Sequence, residues 1–305
     1  MVVCAHVRPD GDAIGSTLAM TLALRDIGLP AIPTLANTED APSTYSWLPG
    51  FGLYVPAEQL EAPDLLIALD CPNLSRLGEA EVLARGAKAL FVIDHHPDNE
   101  MFGTINAVDQ TAAATGQLVW KFAQQLPVVP SADVALCCYA GLITDTGRFS
   151  YDNTSASALR DAASMIEAGV DPAEVARLTY QNRSVASLAI EACAMSRLKV
   201  VNHGHVAYSW VTDEDFAQLG VLPEEAETLP DAIRALGGIE VAMVLRQAGD
   251  EVRVNLRAKT GFDVGTVARN FGGGGHKAAS GLTQSGTIAE VLPRLLAQLP
   301  GGENA

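Results

Sequence analysis

Four short segments of the chain carry residues suited to holding metal ions. HVRPDGD supplies His6, Asp10 and Asp12, and DLLIALDCP supplies Asp70. ALFVIDHHP supplies Asp94, His95 and His96, and ALCCYAGLITDTGRF supplies Asp145. Taken singly, each has a plain structural explanation. A strand-end Asp is usually a helix cap or a turn residue, and a lone His is often a satisfied core residue. The joint pattern changes that balance, because three of only six histidines fall in these segments. Five carboxylates gathered in one cleft repel one another, and such crowding persists where cations neutralise it. An oxygen and nitrogen donor set without thiolate suits Mn²⁺ or Mg²⁺, with Co²⁺ and Zn²⁺ as weaker options. Shared carboxylates suit two ions ~3.5–4 Å apart, which clamp a phosphoryl group and activate a bridging water.

The elements that must position these residues can be read from the hydropathy pattern. VVCAHV reads as a short buried strand, followed by a polar loop and a helical run, AIGSTLAMTLALRDIG, ending at Gly28. AIPTLA is a strand candidate. DLLIALDCP and ALFVIDHHP are continuous apolar runs, as expected of parallel strands covered on both faces. Residues 112–126, 131–143, 155–169 and 171–182 read as helices. The alternation predicts an α/β fold with a doubly wound parallel sheet, in which function gathers beyond the carboxyl ends of the strands. The chemistry-bearing residues stand at those ends. A helical segment, 183–197, leads to a smaller α+β domain at 198–305, so the metal-binding domain is expected over 1–182. In the second domain HVAYSWV, IEVAMVLRQ and EVRVNLRAK alternate as strands. DAIRALG, FDVGTVARNF and TIAEVLPRLLAQL read as helices, and the tail GGENA as loose chain.

Composition narrows the function. The 305 residues are 48% hydrophobic and 18% charged, enough for packed cores. The net charge of −16 argues against a long nucleic-acid duplex as partner, which calls for a basic footprint. A small phosphorylated substrate remains compatible where metal ions neutralise it locally. No apolar run has the length of a membrane span. MVVCAHVRPDGD lacks the basic start and cleavage site of a signal peptide, so a cytoplasmic protein is expected. Cys4, Cys71, Cys137, Cys138 and Cys193 form no CxxC pair and read as buried thiols.

HVRPDGDAIGS, ALDCP, VIDHHP and GLITDTGRFSY resemble, in order, the four motifs of the DHH phosphoesterases. FGGGGHKAASG resembles the signature of the associated DHHA1 substrate-binding domain. The resemblance extends over nearly the whole chain. Within the superfamily it is nearest to the compact nanoRNase/pAp phosphatases, which are related to RecJ-type exonucleases without the extra nucleic-acid domains. The resemblance implies roles. His6, Asp10 and Asp70 would hold one ion. Asp12, Asp70, His95 and Asp145 would hold the other, with Asp70 shared. His96 would contact the scissile phosphate, and Asp94 would orient the neighbouring histidines. In the second domain Gly272 to Gly275 would allow close approach and form an anion-binding nest; Gly273, Gly274 and Gly275 are the core of that expectation. Arg257 and His276 would bind a terminal phosphate or the nucleotide. Phe271 is open between stacking on a base and packing under its loop, Lys277 between ligand and solvated charge, and Arg148 between the metal cleft and a surface ion pair. The chain departs from the family where it starts almost directly on the first strand, and where NLRAK lacks the usual serines around Arg257.

The function implied is metal-dependent hydrolysis of short oligoribonucleotides (nanoRNA) and of 3′-phosphoadenosine 5′-phosphate (pAp). Cyclic di-AMP or linear pApA hydrolysis is the alternative. Inorganic pyrophosphatase or exopolyphosphatase, and a non-catalytic nucleotide-binding regulator, stand behind it. The expected cofactors are two divalent ions, Mn²⁺ first. The expected partners are short RNA or small nucleotides, with neither long duplex nor membrane, and the family expectation is a homodimer.

Overall fold

The two apolar runs that end in Asp70 and Asp94 are neighbouring parallel strands. The computed structural model describes residues 1–36, 43–226 and 228–302, so the last residues of the GGENA tail lie outside the described residues. The chain divides into two units, Met1–Asn182 and Arg183–Ala305.

In the first unit, β1 (Val2–Cys4), β2 (Ile32–Thr34), β3 (Leu65–Leu69), β4 (Ala89–Asp94) and β5 (Ile105–Val108) form a parallel sheet. The order is β2-β1-β3-β4-β5. Successive residues point into two different cores. Val3, Ile67, Leu69 and Ile93 pack on α1 (Gly11–Asp26) and its neighbours, whereas Val2, Cys4, Leu66, Ala68 and Val92 pack on the opposite layer. That layer includes Leu83 and Ala84 of α2 (Glu81–Gly86). Cover on both faces explains why these strands read as unbroken apolar runs.

Beyond the sheet, the unit adds α3 (Thr115–Ala123), α4 (Ala132–Asp145), α5 (Ala156–Glu167) and α6 (Pro172–Tyr180). Helices α1 and α4 touch backbone to backbone. A Cβ on Gly15 would stand 2.5 Å from the Cys137 carbonyl oxygen, so glycine is required there.

The second unit opens with α7 (Val185–Ser196), whose Ile190 and Ala194 are buried in that unit's own core. Its strands are β6 (Lys199–Val201), β7 (Val206–Thr212), β8 (Val241–Ala248), β9 (Glu251–Ala258), β10 (Gly274–Gly275) and β11 (Ala279–Ser285). They form a mixed sheet of order β10-β11-β9-β8-β7-β6, in which only β7 and β8 run parallel. Helices α7, α8 (Asp213–Leu219) and α9 (Leu229–Arg234) cover one face; α10 (Val264–Asn270) and α11 (Ile288–Leu296) cover the other. No described helix is long and apolar enough to cross a membrane.

Candidate metal centre

The four segments converge in the first unit. His6 follows β1, Asp70 follows β3, Asp94 closes β4, and Asp145 is the last residue of helix α4. His6 Nε2 stands 3.5 Å from Asp70 Oδ2 and 4.0 Å from Asp10 Oδ1. His95 Nε2 stands 3.5 Å from Asp70 Oδ1, 3.6 Å from Asp145 Oδ2 and 3.9 Å from Asp12 Oδ2. These separations exceed the ~2.7–3.2 Å of a good hydrogen bond. They approach the roughly 3–3.5 Å expected between ligands that each lie ~2.1 Å from one ion. Two donor groups, His6–Asp10–Asp70 and Asp12–His95–Asp145, each have ligand atoms within 4.8 Å of one another. Asp70 reaches both, with one oxygen toward His6 and the other toward His95. The residues present therefore fit divalent cations.

Local structure aims these side chains. Asp10 caps α1, its Oδ1 accepting the backbone N–H of Asp12 and Ala13 at 3.0 Å. Cap and ligand roles are compatible here, since its side chain remains 60% exposed. Asp70 has φ 53°, the left-handed region that Asp tolerates better than most residues. Such backbone costs free energy and concentrates at functional sites.

Asp12 is 1% exposed and is pinned by a helix that begins about a hundred residues later. Its Oδ2 accepts the Thr115 N–H at 2.6 Å and its Oδ1 accepts the Gly116 N–H at 2.8 Å. Helix α3 has Ala114 at its N-cap position, with no side-chain oxygen to offer, so Asp12 caps it from α1. Space for that carboxylate comes from glycine: a Cβ on Gly141 would stand 2.5 Å from Asp12 Oδ1. The Thr115 hydroxyl donates to Asp70 Oδ1 at 3.0 Å.

Asp94 is fully buried and accepts throughout. Its Oδ1 takes the backbone N–H groups of His95 and His96, at 2.8 and 3.3 Å, and the His96 Nδ1–H at 2.7 Å. Its Oδ2 takes the Asn99 amide at 2.6 Å. Asp94 thus orients one histidine ring, that of His96. The ring of His95 has Nδ1 3.3 Å from the Ala112 carbonyl instead.

Without ions, Asp12, Asp70 and Asp145 are each displaced from the usual carboxylate range. Burial, then the neighbouring Asp70 and Asp145 charges, push Asp12 well above the usual carboxylate range. Burial likewise pushes Asp145 up to about 7, with His95 opposing and Asp10 adding. Burial would raise Asp70 too, but His6 and His95 on its two oxygens hold it well below the usual range. For His96, burial disfavours the charged form, yet Asp94 and Asp70 leave it raised overall.

Sequence reasoning missed Thr115, Gly116, Gly141, Asn99 and Asn153. Asn153 donates its amide to the Ala113 and Asp145 carbonyls at 2.9 and 3.0 Å, fixing the end of α4. Asn99 stood in the polar loop after DHH, where a side-chain partner for Asp94 could be sought. Thr115, Gly116 and Gly141 carry no charge and follow small residues, so nothing marked them.

Arg148 sits three residues beyond Asp145 in left-handed backbone, φ 62°, with its guanidinium 4.7 Å from the Tyr180 ring centroid. In the second unit, Arg257 of β9 lies with Nε 3.5 Å from Asp231 Oδ1. The Ala258 N–H donates to the Ala278 carbonyl at 2.8 Å, which brings the segment after His276 against the end of β9 beside Arg257. The glycine run is narrower as a nest than its sequence suggests. The N–H groups of Gly272 and Gly273 donate to the Arg269 and Ala268 carbonyls and finish α10, at 3.0 and 2.8 Å. Gly274 and Gly275 pair with Gly281 and Ser280 of β11. Phe271 packs against the core of this unit, with the Arg294 guanidinium 5.3 Å from its ring, and Lys277 is exposed.

Comparison with known proteins gives matches along both units. The model described as DHH family, N-terminal domain, matches residues 1–142, and that of the DHHA1 domain matches 203–300. The bifunctional oligoribonuclease and PAP phosphatase NrnA of Thermus thermophilus is 32% identical over 286 residues, covering 93% of this chain and 84% of the relative. The protein of the same name from Bacillus subtilis is 27% identical, covering 92% of this chain and 88% of its own length. Among solved structures, an exopolyphosphatase-related protein from Bacteroides fragilis superposes with a TM-score of 0.89 at 25% identity, covering 97% of this chain and 90% of that one.

Proposed function

The chain belongs to the DHH family, and on that premise we propose that it is a two-metal phosphoesterase hydrolysing short oligoribonucleotides and pAp. The observation that carries the reading is Asp70. One carboxylate offers separate oxygens to two donor groups, His6–Asp10 and Asp12–His95–Asp145. That arrangement supports a pair of ions sharing a ligand, the geometry of in-line displacement at phosphorus. In this reading His6, Asp10 and Asp70 hold one ion, and Asp12, Asp70, His95 and Asp145 hold the other.

Manganese is the proposed metal, on the strength of carboxylate and imidazole donors without thiolate, and it supplies Lewis acidity and charge neutralisation when bound. The chain's residues do the rest. His96, its Nδ1–H engaged by Asp94, turns its other nitrogen to the scissile phosphate. Burial of His6, Asp12, Asp70, His95 and His96 keeps bulk water from competing for the phosphoryl oxygens. Arg257 and His276 take a terminal phosphate or the nucleotide, with Gly273, Gly274 and Gly275 holding the backbone beside them. The names of the two relatives, oligoribonuclease and PAP phosphatase, support both substrates. The net charge of −16 supports short ones. The same reading expects a cytoplasmic homodimer, and sedimentation tests its oligomeric state.

The test is a substrate panel with Mn²⁺: pAp, dinucleotides to pentanucleotides, cyclic di-AMP, pApA, pyrophosphate and polyphosphate. Turnover of pAp and the short oligonucleotides is expected, and Asp70→Ala should abolish it. Turnover confined to pyrophosphate or polyphosphate, or an Asp70→Ala protein of wild-type rate, would overturn the assignment.

A further inference from the structure

Asn99 lies five residues beyond Asp94, in the loop that leaves the DHH segment. Its amide nitrogen donates twice, to Asp94 Oδ2 at 2.6 Å and to the Cys71 carbonyl at 3.1 Å. Its amide oxygen accepts the Met101 N–H at 2.7 Å, where the backbone turns left-handed, φ 53°. The Asn99 N–H reaches the His96 carbonyl at 3.3 Å, and the next residue's N–H reaches the Pro72 carbonyl at 2.8 Å. One neutral side chain is thus satisfied at both ends of its amide. It joins the turn after Asp70 to the loop after His96.

The consequence concerns Asp94. A carboxylate with Oδ1 alone engaged can rotate about its terminal torsion, which is broad and roughly two-fold. With Asn99 on Oδ2, that rotation would break a 2.6 Å hydrogen bond to a fully buried carboxylate. Oδ1 is therefore left facing His96 Nδ1, and the imidazole is held in one orientation and one tautomer. Among the described residues, the groups hydrogen-bonded to the Asp94 carboxylate all donate to it. An isosteric acid at position 99 would turn one of them into an acceptor with almost no change of volume.

We propose that Asn99 is a positioning residue that acts through Asp94 to fix the ring of His96 against the scissile phosphate. The proposal rests on the phosphoesterase reading for the role of His96, whereas the orientation itself is a property of the folded chain.

Two measurements test it. The first is independent of turnover: ¹⁵N NMR of the histidine rings in the full chain with Mg²⁺, which is diamagnetic. The wild-type protein should show His96 as the Nδ1–H tautomer with a hydrogen-bonded shift. Asn99→Asp should lose that signature while the His6 resonances stay in place. The second is a double-mutant cycle on pAp with saturating Mn²⁺, using Asn99→Ala, His96→Ala and the pair. Asn99→Ala should lower kcat at least tenfold, with Mn²⁺ affinity by calorimetry within threefold of wild type. In the His96→Ala background the same change should cost less than twofold. Equal fold-losses in both backgrounds would overturn the proposal. So would an Asn99→Asp protein that keeps the tautomer. A wild-type protein inactive on every nucleotide would instead overturn the function assigned above, and the NMR result would still decide the role of Asn99.

Discussion

Replacing Asp145 by Asn should stabilise the metal-free protein while destroying its hold on metal. Asp145 Oδ2 lies 3.6 Å from His95 Nε2, in a pocket shared with Asp12 and Asp70. Burial, with Asp10 and Asp70 adding, raises its carboxyl to about 7. Unfolded, the same group titrates near 3.9. Between those values the folded chain binds a proton that the unfolded chain has released, so stability falls as pH rises from about 4 to about 7. The full displacement corresponds to about 4 kcal/mol, of which roughly 2–3 kcal/mol falls between pH 5 and pH 8. Asn cannot ionise and carries no such dependence. Urea denaturation of EDTA-stripped proteins across that range should show the variant gaining on wild type as pH rises, by up to that amount. With saturating Mn²⁺ the order should reverse, because wild type gains RT ln(1 + [L]/Kd), about 4 kcal/mol at a thousandfold excess over Kd. A metal-free variant less stable than wild type at pH 8, or a stability gap flat from pH 5 to pH 8, would refute the crowded-carboxylate account of this site.

Three further outcomes follow from other contacts. Thr115→Val keeps the shape of the side chain but removes the hydroxyl that donates to Asp70 Oδ1 at 3.0 Å. Calorimetry should show Mn²⁺ binding weakened tenfold or more, with metal-free stability changed by about 1 kcal/mol. Gly141→Ala places a methyl 2.5 Å from Asp12 Oδ1, which the Thr115 and Gly116 N–H groups hold in place. A stability loss of about 1–3 kcal/mol is expected in denaturant titration, together with weaker Mn²⁺ binding. In the second unit, Arg197 grips Asp215 at 2.5 and 2.7 Å and holds its carboxyl well below the usual range. Asp215→Asn should therefore cost about 2 kcal/mol at pH 7. That difference should shrink as pH falls below about 4, where the wild-type carboxylate begins to lose its advantage over the unfolded chain.

The parts of this molecule that were legible in sequence share a physical cause. Strands β3 and β4 read clearly because both of their faces are buried, which forbids any polar residue until the strand ends. Strand β5 did not, because it is a short edge whose side chains alternate between exposed and half-buried. Strand β10 is two glycines, made a strand only by their pairing with Gly281 and Ser280. The same division runs through the metal centre. Charged and imidazole side chains at the ends of apolar runs stand out because burying them costs so much unless something compensates. The residues that aim them are neutral, and their partners are remote: Thr115 and Gly116 serve Asp12 across 103 and 104 residues of chain. Nothing in TAAATG announces that its last two amides cap a helix with a carboxylate from α1. A ranking of substitutions by residue type would accordingly place Thr115→Val among the mildest changes in the chain. The geometry places it beside the carboxylate that both donor groups share, where the loss of a single hydroxyl removes a 3.0 Å hydrogen bond to Asp70 Oδ1.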